Sequence, residues 1–243
     1  MSEPVTVPTD SGDMPAHLWL PPSGTGPGVV VLQEIFGVSD YVQRRAGQLA
    51  EQGYVVIAPE IYWRLGVTEP VQGQEALTEG MALVRRLDWD RAVSDATAAV
   101  SWLRGHDDVD GGVGVLGFCF GGGLAYAVAA GLETASGDAA GEDPSPVDAL
   151  VSYYGSALPE LYQALTVTAP SLHHFGLADS FIDTDTVRAI EARLTQQPAT
   201  VFETYAGADH AFDNDDMGWH DAGASALAWS TTREFLREHL PTA

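Results

Sequence analysis

Short apolar runs alternate with segments of helical periodicity along most of the chain. The run at 28–33 is continuous, as expected of a parallel strand that is buried on both faces. Further strands are predicted at 54–58, 113–116, 147–154, 171–175 and 200–205, and helices at 39–52, 74–86, 90–104, 124–130, 184–194 and 224–239. This alternation predicts an α/β protein with a mostly parallel, doubly wound sheet and helices on both faces. No linker or repeat divides the chain, so we expect residues 1–243 to form a single domain.

Other segments are predicted to be irregular or to lie at the edge of the sheet. Strands at 5–7 and 17–20 flank a polar turn, which indicates an antiparallel pair. The aromatic segment 60–70 is typical of a loop over a site. Segment 131–146 is rich in Ala, Gly, Ser and Asp, and we expect it to form a surface loop.

The composition is strongly acidic. The chain has 34 acidic and 11 basic residues, a formal net charge of -23, and every basic residue is arginine. This charge argues against nucleic acid and anionic membrane surfaces as partners, because little on the protein could neutralise phosphates. No signal-peptide pattern and no apolar run of membrane-spanning length are evident in the sequence. We therefore expect a cytoplasmic protein, and a monomer.

The one cysteine of the chain lies in the stretch 113–123. An apolar strand there leads into Gly117-x-Cys119-x-Gly121 and then into a helix, which is the context of a nucleophile elbow with cysteine in the place of serine. Glycine neighbours allow the backbone to turn tightly enough to raise the thiol clear of the sheet. By itself the pattern also fits a buried core cysteine. A phosphate-binding loop is disfavoured, because no Lys-Ser/Thr pair follows the glycines.

A thiol nucleophile needs a base, and the base needs a carboxylate that orients it. His210 follows the last predicted strand, Asp179 follows the strand before it, and Cys119 follows an earlier one. All three would meet at the carboxyl edge of a parallel sheet, in the chain order of the α/β-hydrolases. Asp183 and Asp209 remain alternative acids. For the other six histidines we expect structural roles: His17, His106, His173, His174, His220 and His239.

With these segments in place, the chain resembles the dienelactone hydrolases over nearly its whole length. The resemblance is carried by Gln33-Glu34-Ile35-Phe36-Gly37 and the cysteine elbow, supported by 153–155, the strand that ends in Asp179, and 207–212. It implies an α/β-hydrolase fold, no cofactor and no metal. It also implies a hydrolase that cleaves a lactone or carboxylic ester, a small-molecule substrate, through an acyl-enzyme.

The resemblance further implies a role for each site residue. Cys119, His210 and Asp179 map onto the catalytic triad, and the backbone N–H groups of Ile35 and Phe120 map onto the oxyanion hole. Glu34 would hold the resting thiol and take part in activating it. A carboxylate beside a thiol opposes thiolate formation, so we expect the thiol to become reactive when substrate displaces Glu34.

The substrate side of the match is less complete. The family binds an anionic substrate with arginines, and one of them lies four residues beyond the catalytic histidine, where this chain has Asn214. Arg85 or Arg86 could take the place of the family's second arginine, and we expect Phe36, Tyr62 and Trp63 to supply apolar walls.

Two alternative functions stay open. One is a general carboxylesterase or thioesterase with a neutral substrate. The other is a non-catalytic redox- or ligand-sensing protein that keeps the elbow cysteine.

Overall fold

One eight-stranded sheet organises the computed structural model, which describes residues 2–138 and 145–242. The strands lie side by side in the order β1-β2-β4-β3-β5-β6-β7-β8, and all neighbours are parallel except the β1–β2 and β2–β4 pairs. Their bounds are β1 Glu3–Thr9, β2 Gly12–Trp19, β3 Gly26–Leu32, β4 Val55–Pro59, β5 Val109–Phe118, β6 Ala149–Tyr153, β7 Ser171–Gly176 and β8 Thr200–Tyr205. The predicted mostly parallel sheet with an antiparallel edge is confirmed.

Helices connect the strands and cover the sheet. They are α1 Asp40–Ala50, α2 Ala76–Arg86, α3 Trp89–Arg104, α4 Phe120–Asp138, α5 Leu158–Leu161, α6 Thr184–Leu194 and α7 Ala222–His239, with a 3-10 turn at Trp63–Leu65. Several helices start where a polar side chain caps them: Ser39 accepts a hydrogen bond from the N–H of Val42, and Asp183 accepts one from that of Thr186. The short helix α5 and the 3-10 turn are additions to the elements predicted from the sequence.

The core lies on both sides of the central strands. Val29, Val30, Val31 and Leu32 are all 0% exposed, and since alternate residues of a strand point to opposite faces, both faces of β3 are covered. This burial explains the continuous apolar run at 28–33.

The expected loop at 131–146 is wrong for residues 131–138. Helix α4 continues through Asp138, with Leu132 buried, and the hydroxyls of Thr134 and Ser136 donate to the carbonyls of Ala130 and Leu132. Because these hydroxyls bond to carbonyls four residues earlier, the small polar residues remain compatible with a helix. Residues 139–144 of the expected loop lie outside the described part of the chain.

His173 lies on β7 and is fully buried. Its side chain is 0% exposed and stacks on Phe202, and neither ring nitrogen has a hydrogen-bond partner among the described residues. Burial lowers the pKa of His173 to about 3. The unfolded chain therefore binds a proton between pH 6.5 and 3 that the folded chain does not, and stability falls as the pH drops through this range.

We expect His173→Phe to stabilise the protein. Removing an unpaired buried polar ring should raise the free energy of unfolding by about 1 kcal/mol at pH 8. The gain should be about 2 kcal/mol larger at pH 5, where the unfolded wild-type histidine is protonated. Urea unfolding of both proteins at the two pH values measures this difference. An equal gain at both pH values would contradict the assignment of a neutral, buried ring.

Candidate active site

Cys119 lies at a strained turn between β5 and α4. Its backbone φ is 54°, in the left-handed region that residues other than glycine rarely adopt. A Cβ atom at Gly117 would lie 2.0 Å from the carbonyl oxygen of Gly121, and one at Gly121 would lie 2.3 Å from that of Leu32. Only glycine fits at either position, so the strand and the helix can approach closely enough to hold this turn. The thiol is 8% exposed and faces a cavity.

Residues that follow three different strands make contact at this turn. His210 Nε2 lies 3.1 Å from the Sγ atom of Cys119, and His210 Nδ1 lies 2.8 Å from Oδ2 of Asp179. The other carboxylate oxygen of Asp179 accepts hydrogen bonds from the N–H groups of Phe181 and Ile182, at 2.8 and 2.9 Å. With Asp179 fixed in this way, His210 presents Nδ1–H to the carboxylate and leaves Nε2 free to accept the thiol proton.

The electrostatics of the contact favour a charged imidazole. Burial alone would lower the pKa of His210, but the negative charge available at Cys119 and the hydrogen bond to Asp179 outweigh burial and raise this pKa. The first N–H groups of α4 have no acceptor within the helix, so the helix start beside Cys119 favours a negatively charged group in the cavity. The pocket is therefore suited to an imidazolium at His210 and to an anion at the start of α4.

The two alternative acids have other partners. Asp183 caps α6 by accepting from the backbone N–H and the hydroxyl of Thr186. Asp209 accepts from the backbone N–H groups of Ser180 and His210, so it fixes the loop that carries the histidine. Of the three candidates, Asp179 is the one whose carboxylate contacts the imidazole ring.

Glu34 is placed differently from the expectation that it holds the thiol. Its Oε2 accepts a 2.6 Å hydrogen bond from Nδ2 of Asn214, and its Oε1 accepts one of 3.5 Å from the hydroxyl of Tyr154. The thiol of Cys119 instead contacts His210. Burial raises the pKa of Glu34 to about 7, and the hydrogen bond from Asn214 offsets burial only in part. The physical reason for the placement is that Asn214 supplies a donor to a fully buried carboxyl group.

A buried polar chain continues behind Glu34. The hydroxyls of Tyr154 and Tyr41 lie 3.3 Å apart, and the hydroxyl of Tyr41 donates to Asp213 over 2.5 Å. Arg45 binds the same carboxylate with two nitrogens, at 2.6 and 2.8 Å. Apart from the position of Asn214, no sequence pattern indicates this chain, because its members come from α1, the end of β6 and the segment after His210.

A cavity of about 390 Å³ opens over Cys119 and His210. Glu34, Ile35, Phe36 and Phe120 also line it, and further walls are supplied by Leu77, Met81, Val84, Ser156, Pro159, Glu160, Phe181, Ile182, Asp183, Thr186, Ala211 and Trp219. The N–H of Phe120 is the first of α4, and Ile35 follows β3, the parallel neighbour of β5. The two residues expected to form the oxyanion hole therefore border the same space as the thiol.

Three residues predicted to bind substrate lie outside this lining. The hydroxyl of Tyr62 is buried and donates to the carbonyl of Ile35, so Tyr62 supports the cavity wall from behind. The indole of Trp63 donates to Asp95 on α3. Arg85 is exposed on α2 and does not line the cavity. None of residues 60–70 lines the cavity, so this segment lies beside the site and not over it as expected.

Residues 2–138 and 145–242 contain neither a candidate membrane-spanning helix nor a candidate metal centre. In these ranges, no helix combines the length and apolar content needed to cross a membrane. Within the same ranges, no group of three or more His, Cys, Asp or Glu side chains is arranged to hold a metal ion.

Comparison with known proteins identifies the family. A sequence model of the dienelactone hydrolase family matches residues 14–240, nearly the whole chain. The chain belongs to the dienelactone hydrolase family. The resemblance read from the Gln33-Glu34-Ile35-Phe36-Gly37 segment and the cysteine elbow is thereby confirmed.

Individual dienelactone hydrolase relatives agree in sequence and in structure. A carboxymethylenebutenolidase of Pseudomonas sp. (strain P51) is 33% identical over 233 residues, which cover 95% of this chain and 92% of the relative. The carboxymethylenebutenolidase of Pseudomonas putida is 30% identical over 219 residues, covering 89% and 87%. A crystal structure described as a dienelactone hydrolase from Klebsiella pneumoniae superposes with a TM-score of 0.81 at 26% identity, covering 98% of both chains. The chain is therefore a carboxylic ester hydrolase with the α/β-hydrolase fold.

Proposed function

We propose that this hydrolase cleaves a lactone or carboxylic ester with Cys119 as nucleophile, His210 as general base and acid, and Asp179 as the orienting carboxylate. One observation carries the proposal. An unbroken chain of contacts runs from Asp179 through His210 to a thiol on a strained turn, and that thiol borders a cavity of substrate size.

Acylation would proceed in two steps. His210 takes the thiol proton on Nε2, and the sulfur forms a bond to the substrate carbonyl carbon while the π electrons move to the oxygen. The backbone N–H groups of Ile35 and Phe120 donate to this oxyanion. When the carbonyl re-forms, the bond to the leaving oxygen breaks, and that oxygen takes the proton from His210.

Deacylation would reuse the same groups. A water gives its proton to Nε2 of His210 and attacks the thioester carbon, and the oxyanion again accepts from the two N–H groups. The carbon–sulfur bond then breaks, the sulfur recovers its proton from His210, and the acid leaves. For a lactone, the acid and the alcohol or enol remain parts of one product molecule.

Glu34 would act by limiting negative charge near the sulfur. With a pKa of about 7, a large share of Glu34 is protonated at neutral pH, and a neutral carboxyl opposes the thiolate less than a carboxylate does. Asn214 keeps Glu34 turned to its own amide, which leaves the thiol to His210. In this proposal Glu34 takes part in activating the thiol through its charge, without a direct bond to Sγ.

Trapping the acyl-enzyme tests the proposal. Wild-type protein mixed with p-nitrophenyl acetate and quenched in acid within one turnover is expected to carry one acetyl group on Cys119, identified by peptide mass spectrometry. Cys119→Ala should carry none. Turnover of the ester without any adduct on Cys119, or with an equal rate in Cys119→Ala, would overturn the cysteine mechanism. Absence of ester turnover in the wild type would favour the non-catalytic sensing alternative.

A further inference from the structure

The cavity beside Cys119 is unusual in its charges. Three carboxyl residues line it, Glu34, Glu160 and Asp183, and the part of the chain that the structure describes contributes no arginine to the lining. The sequence contains no lysine. An anionic substrate entering this space would meet these carboxyl groups and, among the described residues, no arginine. The imidazole of His210 is a cationic group at the cavity, but it is already paired with Asp179.

Position 214 and the nearby arginines supply no cation to the cavity. Asn214 donates to Glu34 and does not line the cavity. Arg45, a partly buried cation on α1, makes a two-nitrogen contact with Asp213 and is held behind the polar chain. Arg85 lies one helical turn beyond Met81 on α2, exposed and outside the lining. Among residues 2–138 and 145–242, no guanidinium therefore lines the cavity where it could bind a substrate carboxylate.

The cavity wall carries an apolar surface that is open to solvent. Leu77, Met81 and Phe181 are 36%, 37% and 52% exposed, and all three line the cavity. Phe181 meets the ring of Trp219 edge-on at 5.8 Å, and its centroid is 5.0 Å from that of His210. Large apolar side chains left exposed at a concave site typically contact an apolar ligand. Here they lie next to the reacting atoms.

We propose that this cavity selects uncharged esters whose acyl or aryl group is apolar, and that it discriminates against esters with a carboxylate near the reacting carbonyl. The proposal rests on the proposed function, since it concerns the substrate of the same site. Phe181, Leu77 and Met81 are its specificity-determining residues on the apolar side. Glu160 and Asp183 are those that repel anions. Asp183 stays ionised at neutral pH, because the N–H and hydroxyl of Thr186 hold its pKa below the usual value.

A matched pair of substrates tests the proposal directly. p-Nitrophenyl hexanoate and the mono-p-nitrophenyl ester of adipic acid have acyl chains of equal carbon number and the same leaving group, but the second ends in a carboxylate. At pH 7.5 and low salt we expect kcat/KM for the hexanoate to exceed that for the adipate by about tenfold or more, because apolar burial is lost and like charges repel. The ratio should shrink as salt is added.

Substitutions test which residues produce the expected preference for the hexanoate, the carboxylates or the apolar side chains. Glu160→Gln with Asp183→Asn should lower the hexanoate-to-adipate ratio by about threefold or more, since asparagine preserves the helix cap while both charges are removed. Glu238→Gln on α7, an exposed carboxylate outside the lining, is the matched control and should leave the ratio unchanged. Phe181→Ala should reduce the gain in kcat/KM between p-nitrophenyl acetate and the hexanoate by about threefold or more.

The possible failures are distinguishable. If neither ester is hydrolysed, the proposed function fails and the specificity proposal fails with it. If both are hydrolysed through Cys119 and the adipate is equal or preferred, the proposed function stands and the specificity proposal is overturned. A preference for the adipate that disappears in Arg85→Ala would assign that arginine to the substrate carboxylate, as the sequence alone suggested.

Discussion

Replacing Cys119 by alanine is expected to lower kcat/KM for a p-nitrophenyl ester by about 10⁴-fold or more, because the proposed covalent catalysis would be lost entirely. The proposed oxyanion donors and the cavity would remain, so a weak activity above that of water should persist. Asp179→Asn should lower kcat by about 10²- to 10⁴-fold, since the imidazole would lose the partner that fixes its tautomer. Initial rates of p-nitrophenolate release measure both changes.

An effect of these substitutions on folding must be distinguished from an effect on catalysis. Cys119→Ser changes the side-chain volume only slightly and keeps a polar group beside His210, and circular dichroism and thermal unfolding should match the wild type. A serine nucleophile suits the same turn geometry, so this variant should keep more activity than the alanine variant. Retention of a tenth or more of wild-type kcat/KM by Cys119→Ala would contradict nucleophilic catalysis by this residue.

Glu34→Gln is expected to stabilise the protein at alkaline pH. Because the pKa of Glu34 is about 7 when folded and 4.5 is its ordinary value, the folded chain holds a proton that the unfolded chain has lost between these pH values. Wild-type stability therefore falls as the pH rises from 4.5 to 7, and the loss is complete above 7. The amide variant does not titrate, so its free energy of unfolding should exceed that of the wild type by about 3 kcal/mol at pH 8.

Glutamine also suits the local contacts. Its carbonyl oxygen can accept from Asn214, and its amide can donate to the hydroxyl of Tyr154, so no buried polar atom loses its partner. Urea unfolding at pH 4.5 and pH 8 is the measurement, with Glu238→Gln as an exposed control expected to change stability by less than about 0.5 kcal/mol. A stabilisation of equal size at both pH values would show that burial does not shift the pKa of Glu34.

Much of the fold follows from local patterns that tertiary structure does not override. The apolar run at 28–33 becomes the buried strand β3, and the strand–turn–helix around Cys119 appears with the tight glycine contacts that its sequence requires. The positions of Asp179 and His210 after successive parallel strands also follow from the alternation, since the carboxyl ends of such strands share one edge. The sequence alone therefore predicts that these three residues lie in the same region of the fold.

Features that depend on packing between distant segments could not be predicted from the sequence. Nothing in the spacing of Tyr41, Tyr154 and Asp213 indicates a hydrogen-bonded chain, because the three lie on separate elements. The cavity wall is similar: Phe181 and Trp219 line it while Tyr62 and Trp63 do not, and this distinction depends on how each loop folds back. Helix α4 extends past residue 131 because Leu132 is buried in the core, and composition alone does not predict this burial.

The single cysteine has a practical consequence for anyone who studies this hydrolase. Since the chain's only sulfhydryl borders the cavity, a maleimide dye or a nitroxide spin label reports on that one location without prior engineering. Conversely, one substitution yields a thiol-free background into which a label can be introduced anywhere else. In that background, a pair of labels placed on loops around the entrance can report their movements by the distance between the two labels.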